Sequence, residues 1–195
     1  MAIVVGLSGA SGVVYGVRFL ETLKSLKIET HLIMSQGARE TLAVETDYKQ
    51  SYVESLASHV HRINDIAASL ASGSFKTNGM VVIPASMKTV AGMAHGYADN
   101  LLLRAAEVTL KERRPLIVVP RETPFSIIDI ENLLTLARAG AIVVPAMPAF
   151  YHKPKTLEDI MDHLVGKVLD LLQIEHNLYD RWQGPNKRGS GSART

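Results

Sequence analysis

The sequence predicts an α/β protein built as a doubly wound parallel sheet with helices on both faces, and three observations carry that prediction. Five short apolar runs rich in β-branched residues recur along it: Ala2–Leu7, Thr30–Met34, Met80–Pro84, Leu116–Pro120 and Ala141–Pro145. Each is nearly continuous in apolar residues, the pattern of parallel strands covered on both faces rather than the alternation of a half-exposed sheet. Longer segments with helical spacing lie between them, so strand and helix alternate. The length, 195 residues with 47% hydrophobic and 21% charged, suits one ordinary globular domain.

Taken in order, the first run leads through Ser8-Gly9-Ala10-Ser11-Gly12 into a helix with Val13, Val17, Leu20 and Leu23 at helical spacing. The second ends in Ser35-Gln36-Gly37. From Ser58 to Thr77 the pattern is less regular, and Ala71-Ser72-Gly73-Ser74 reads as a loop. The third run ends in Ala85-Ser86-Met87-Lys88-Thr89, the fourth in Arg121-Glu122-Thr123-Pro124 and the fifth in Ala146–Tyr151. Before the fourth run, Arg104 and Lys111 stand two helical turns apart on one face. The last helix carries Leu157, Ile160, Met161, Leu164, Val168 and Leu171, with Thr156 and Asp159 as a capping box in which Asp replaces the usual Glu or Gln. The domain is expected over residues 1–184. Residues 185–195, PNKRGSGSART, have no apolar periodicity and read as a disordered basic tail.

Composition narrows the function classes. There is no cysteine, which removes disulfides, thiol nucleophiles and thiolate metal sites. A net charge of +2, with no basic residues interleaved with stacking aromatics, argues against nucleic acid as a partner. No apolar run is long enough to span a bilayer, and MAIVVG has no basic n-region, so no membrane and a cytoplasmic location are expected. His59-Val60-His61 would place two rings on one strand face. With no helix-spaced carboxylates beside them they read as solvated loop histidines, and no metal is expected. A G-x-S-x-G elbow is absent, which disfavours hydrolase chemistry.

In doubly wound sheets ligands bind beyond the C-terminal strand ends, where strand order reverses. At the first strand end, glycines permit close backbone approach and the following helix offers free N–H groups and its positive dipole end, which suits a phosphate. Ser8 and Ser11 add hydroxyls, while the Walker lysine and its Ser or Thr are missing, so a nucleoside triphosphate is disfavoured. A second turn of the same kind at Ser86–Thr89 fits one elongated mononucleotide lying across both. Arg121-Glu122 adds a guanidinium fork and a carboxylate at the same end, and Tyr151 a phenol.

Together these segments are similar to a known family. G-L-S-G-A-S-G after the first strand, P-A-S-M-K-T after the third, L-K-E-R-R-P-L before the fourth, V-P-R-E-T-P after it and P-A-F-Y after the fifth resemble the UbiX-type flavin prenyltransferases, formerly labelled aromatic acid decarboxylases. The resemblance runs from about Ile3 to Gly184. It implies a Rossmann-like, flavodoxin-like flavoprotein that joins the dimethylallyl group of dimethylallyl phosphate to N5 and C6 of reduced FMN. The product, prenylated FMN, would go to a UbiD-type decarboxylase. FMN is then the one cofactor, taken as reduced substrate, and the chain a homo-oligomer, a dodecamer as in the family.

Carried over position by position, the resemblance implies that Gly9, Ala10, Ser11, Ser35, Ser86, Met87, Lys88, Thr89 and Arg121 bind FMN. Arg104, Lys111, Tyr151, Lys167 and Trp182 would hold the prenyl phosphate, with Arg104 and Lys111 supplied across subunit boundaries. Glu45, Glu122, Tyr151 and Lys111 would act in catalysis. Lys167 stands where some relatives have arginine, keeping the charge without the bidentate fork. Ser35-Gln36 replaces an expected Ser-Lys. The alternatives are an FMN carrier or accessory subunit, which has no use for a second phosphate site, and an FMN-dependent decarboxylase.

Overall fold

The structure, a computed structural model, describes residues 1–182 and Gly184. The expected tail at residues 185–195 lies outside the described residues. Six strands, β1 Ala2–Leu7, β2 Glu29–Met34, β3 His59–His61, β4 Gly79–Ala85, β5 Leu116–Pro120 and β6 Ile142–Val143, form one sheet in the order β3-β2-β1-β4-β5-β6. Every pairing is parallel. This is the 3-2-1-4-5-6 order of Rossmann sheets, and leaving out β3 gives the flavodoxin order. Strand order reverses between β1 and β4, which puts the crevice between their C-terminal ends.

The strands are covered on both faces, as their continuous apolar runs require: β4 is buried at every residue and β1 and β2 at all but the first. On one face, Val13, Val17, Phe19, Leu20 and Leu23 of helix α1 (Val13–Ser25) pack with Leu164, Val165, Val168 and Leu169 of helix α7 (Leu157–Leu171). Ala38 and Leu42 of α2 (Gln36–Glu45) and Val53 of α3 (Gln50–Ser55) complete that layer. On the other face lie Val90 and Met93 of α4 (Met87–Ala94), Leu101, Leu102, Leu103, Ala105 and Ala106 of α5 (Leu101–Lys111) and Leu136 of α6 (Ile127–Arg138). A fully buried leucine such as Leu20 contributes about 1.5–3 kcal/mol by leaving water.

Both halves of the Thr156–Asp159 capping box form, because Asp159 still reaches the Thr156 N–H at 3.1 Å. Ser126 and Asp129 repeat the device at the start of α6. β6 is shorter than expected. Pro145 has no N–H to give, yet Val144 and Ala146 still donate to Val118 and Pro120 at 2.8 and 3.2 Å.

His59 and His61 require a correction. They form β3, an edge strand paired to β2, rather than a loop. Their rings stack on buried His31 with centroids 4.6 and 5.2 Å away. Burial and the neighbouring imidazoles push His31 and His61 below the ordinary histidine pKa.

Candidate active site at the strand ends

Three helices begin at the crevice. α1 starts after Gly12, whose φ of 89° is the left-handed conformation that glycine adopts without strain, and no side chain caps it. Tyr15 N–H turns back to Gly12 O at 3.0 Å, which leaves the Val13 and Val14 N–H groups for the crevice, an anion-binding arrangement. α2 and α4 start at Ser35 and Ser86, whose hydroxyls accept from Ala38 N–H and Thr89 N–H at 3.1 and 3.3 Å. The loops touch backbone to backbone: a Cβ on Gly9 would lie 2.9 Å from Gly37 Cα, so only glycine fits.

Ser8, expected to offer its hydroxyl to a ligand, is buried and spends it inside the protein. Its Oγ donates to Pro84 O at 3.0 Å and accepts from Ser86 N–H at 2.7 Å. The reason is position: Ser8 stands where the adjacent β1 and β4 end, and it welds the two phosphate-type turns into one unit. Ser11 remains part-exposed on the loop, and Ala10 is buried. Glu45, at the end of α2, accepts from Gly12 N–H at 2.8 Å, so this carboxylate does reach the glycine loop. Met87 and Thr89 are half-buried and Lys88 exposed at the start of α4. Arg121 ties β5 to β4 through its backbone N–H to Ala85 O at 3.3 Å, and its side chain is exposed. Glu122 is exposed beside it and accepts from Thr123 N–H at 3.0 Å.

A second group gathers around α7. The Tyr151 hydroxyl lies 2.6 Å from Nε2 of buried His163. The Trp182 ring stands edge-on to Tyr151 with centroids 5.8 Å apart, and His152 stacks on His163 at 4.8 Å. Lys167 is exposed one turn after His163 on the same helix, and the Lys167 and His152 charges reinforce burial in pushing the His163 pKa down. Thus Tyr151 meets both Trp182 and His163, and Lys167 lies one turn along α7 from that histidine, which sequence reasoning missed. The available signal was a histidine at position 163 on the apolar face of a regular amphipathic helix, four residues before Lys167.

Asp170 is the other missed residue. It accepts from Tyr179 at 2.6 Å, from both Arg181 nitrogens at 2.7 and 3.2 Å, and lies 3.2 Å from His176 Nε2. Burial would raise its pKa, but these hydrogen bonds outweigh it and hold the carboxyl at about 2. Burial and the Asp170 charge push Tyr179 up to about 12. The segment that presents Trp182 is pinned to α7 through this carboxylate and through the Tyr179 ring, whose centroid lies 4.8 Å from that of His163.

Arg104 and Lys111 are placed elsewhere. Arg104 donates to Ala71 O at 3.1 Å and pairs with Glu107 at 2.8 Å. Lys111 lies 3.7 Å from Glu112. α5 runs back against the strands, so Lys111, at its C-terminal end, sits at the opposite end of the sheet from the crevice of its own chain.

The flavoprotein family model matches residues 1–178. The flavin prenyltransferase LpdB of Lactiplantibacillus plantarum is 50% identical over 183 residues, covering 93% of this chain and 98% of that protein. The flavin prenyltransferase UbiX of Thauera aromatica is 47% identical over 194 residues, covering 100% of both. The chain belongs to the UbiX flavin prenyltransferases, within the flavoprotein family. A crystal structure of AnUbiX with FMN and dimethylallyl pyrophosphate superposes with a TM-score of 0.92 at 48% identity, over 94% of this chain and 97% of that one. A dodecameric FMN-dependent UbiX-like decarboxylase from Escherichia coli O157:H7 gives 0.92 at 50% identity, over 94% and 100%. The peptidyl-cysteine decarboxylase EpiD, at 16% identity and a TM-score of 0.64, shares the fold alone.

Proposed function

We propose that this protein is a flavin prenyltransferase that joins the dimethylallyl group of dimethylallyl phosphate to N5 and C6 of reduced FMN. The observation that carries the reading is that the chain presents two separate groups suited to anions. One is the set of helix starts around Gly9–Gly12, and the other is Tyr151, Lys167 and Trp182 around His163. A protein that only carries FMN has use for the first alone.

FMN fits the first group, because the Gly9–Gly37 contact leaves bare backbone and α1 lacks a side-chain cap. Gly9, Ala10, Ser11, Ser35, Ser86, Met87, Lys88, Thr89 and Arg121 would hold it. Bound there, the reduced flavin supplies the nucleophile. Tyr151 and Lys167, with Arg104 and Lys111 of neighbouring chains, would stabilise the departing phosphate by preorganised charge. The rings of Tyr151 and Trp182 would keep water from the allylic carbon. Glu45, on Gly12 N–H, and Glu122 stand where a proton can be accepted.

The reading includes a homo-oligomer, a dodecamer, with residues 1–184 as one FMN-binding domain. Two observations support self-association. Lys111 cannot serve its own crevice, and Ile127, Ile130 and Leu134 leave an apolar stripe on α6 that is 74%, 54% and 47% exposed. Prenylated FMN would pass to a UbiD-type decarboxylase. Among the described residues no helix is long and apolar enough to cross a membrane, and we place the activity in the cytoplasm. The deciding experiment is anaerobic incubation with reduced FMN and dimethylallyl phosphate, followed by mass measurement of the flavin. A gain of one prenyl unit is expected; FMN bound and returned unchanged would leave a carrier.

A further inference from the structure

A cluster of side chains outside this site has an arrangement that the prenyl-transfer chemistry does not use. Glu29 and His31 lie two residues apart on β2 and so share one sheet face. The parallel register sets His59 opposite His31, and His61 opposite Ile33, which carries both β3 imidazoles onto that face. His31 is 4% exposed. Its Nδ1 lies 2.9 Å from Nε2 of His61, whereas its own Nε2 is buried without a hydrogen-bond partner.

That orphan nitrogen is aimed at the others. It lies 3.6 Å from Oε1 of Glu29, and the same oxygen is 3.3 Å from Nε2 of His59. All three atoms lie within 4.8 Å of one another. A buried polar atom without a partner is costly and calls for an explanation. With Nδ1–H of His31 donating to His61, its Nε2 carries a bare lone pair. His59 Nε2 donates to that same Glu29 oxygen at 3.3 Å; on giving up this proton it adds a second imidazole lone pair beside the carboxylate and the bare His31 Nε2.

We propose that Glu29, His31 and His59 form a binding site for a divalent transition metal of the zinc class. Two imidazoles and one carboxylate are a donor set that Zn2+ takes, and tetrahedral zinc completes its shell with water. Water has access, since the Glu29 and His59 side chains are 49% and 54% exposed. His61 is the outer partner that fixes the His31 tautomer, and Phe75 packs edge-on against the His31 ring at 5.4 Å. Glu29 and His59 open their strands, so the site lies toward the N-terminal end of the sheet, away from the crevice. Its effect is structural: the metal clips the three-residue edge strand β3 to β2.

The test is calorimetric titration of ZnCl2 into the untagged, metal-stripped, FMN-loaded protein, beside His59→Ala, Glu29→Gln and His61→Ala. His31 itself is left intact because its variants risk misfolding. One saturable zinc per chain is expected, with a rise in melting temperature. Binding should weaken at least tenfold in His59→Ala and Glu29→Gln, and about 10- to 100-fold in His61→Ala. FMN affinity should not change. No saturable zinc in the parent protein, or equal zinc binding by the parent and His59→Ala, would overturn the assignment.

Discussion

Tyr151 Oη and His163 Nε2 stand 2.6 Å apart, joining the loop after β6 to the buried face of α7. The hydrogen bond holds a phenol that is 50% exposed in one orientation, so under the proposed assignment of Tyr151 to the prenyl phosphate, His163 would act through it as a positioning residue. Replacing His163 by Ala removes one buried hydrogen bond, about 0.5–1.5 kcal/mol, and should slow prenyl transfer by up to about tenfold. His163→Gln keeps a side-chain hydrogen-bonding group and should restore most of the rate. Single-turnover kinetics of both variants check this, and equal rates in the two would show that the contact is packing alone.

Tyr151→Phe and Lys167→Ala should each leave FMN bound. On the proposed assignment each would remove a charge-assisted hydrogen bond to the leaving phosphate, about 1.5–3 kcal/mol, which corresponds to roughly ten- to a hundredfold slower transfer. Measuring the flavin by absorbance and the rate with dimethylallyl phosphate separates the two effects.

Ser11→Asp should abolish FMN binding. The new carboxylate would occupy the N-terminal turn of α1, where Gly12 leaves the helix uncapped and free to receive an anion. Titration with FMN checks it, and full affinity would remove the glycine loop from the site.

Acid should destabilise the fold in two windows. His163 is held neutral by burial, so below the ordinary histidine value of about 6.5 the unfolded chain takes a proton that the folded chain refuses, and stability falls. Asp170 works lower. Its folded pKa of about 2 lies under the ordinary carboxyl value of 3.8, so its contribution is present above 3.8 and is lost as pH falls toward 2. Denaturant midpoints at pH 7.5 and 5.5 should differ less in His163→Gln than in the parent. Asp170→Asn should be less stable than the parent at neutral pH, with the gap closing as the acid titrates the native carboxylate.

Ile130→Asp with Leu134→Asp should break the assembly while leaving the monomer folded, because both side chains are about half exposed and the core of α6 is Leu136. Light scattering should show smaller species, and prenyl transfer should fall with them if Lys111 serves a neighbour. A fully active monomer would sink the shared-site reading.

The alternation of strand and helix, the glycine loop, the Thr156–Asp159 cap and the motif residues at the strand ends were all legible, because each depends on neighbours within a few positions. A buried parallel strand must be apolar throughout, and a helix start must satisfy its own first N–H groups. β3 escaped because three residues, two of them histidine, carry no apolar run, and its pairing with β2 depends on a partner 28 residues away. A still longer separation hid the use made of Ser8, which follows from β1 and β4 ending side by side across 76 residues. It also hid His163 and Asp170, which look like ordinary helix residues until the loop and the C-terminal segment fold against them. Local order was written in spacing and residue type. The pairing of lone pairs, carboxylates and rings across the sheet was decided by tertiary packing, since a buried polar group takes whichever partner the topology brings within hydrogen-bond reach.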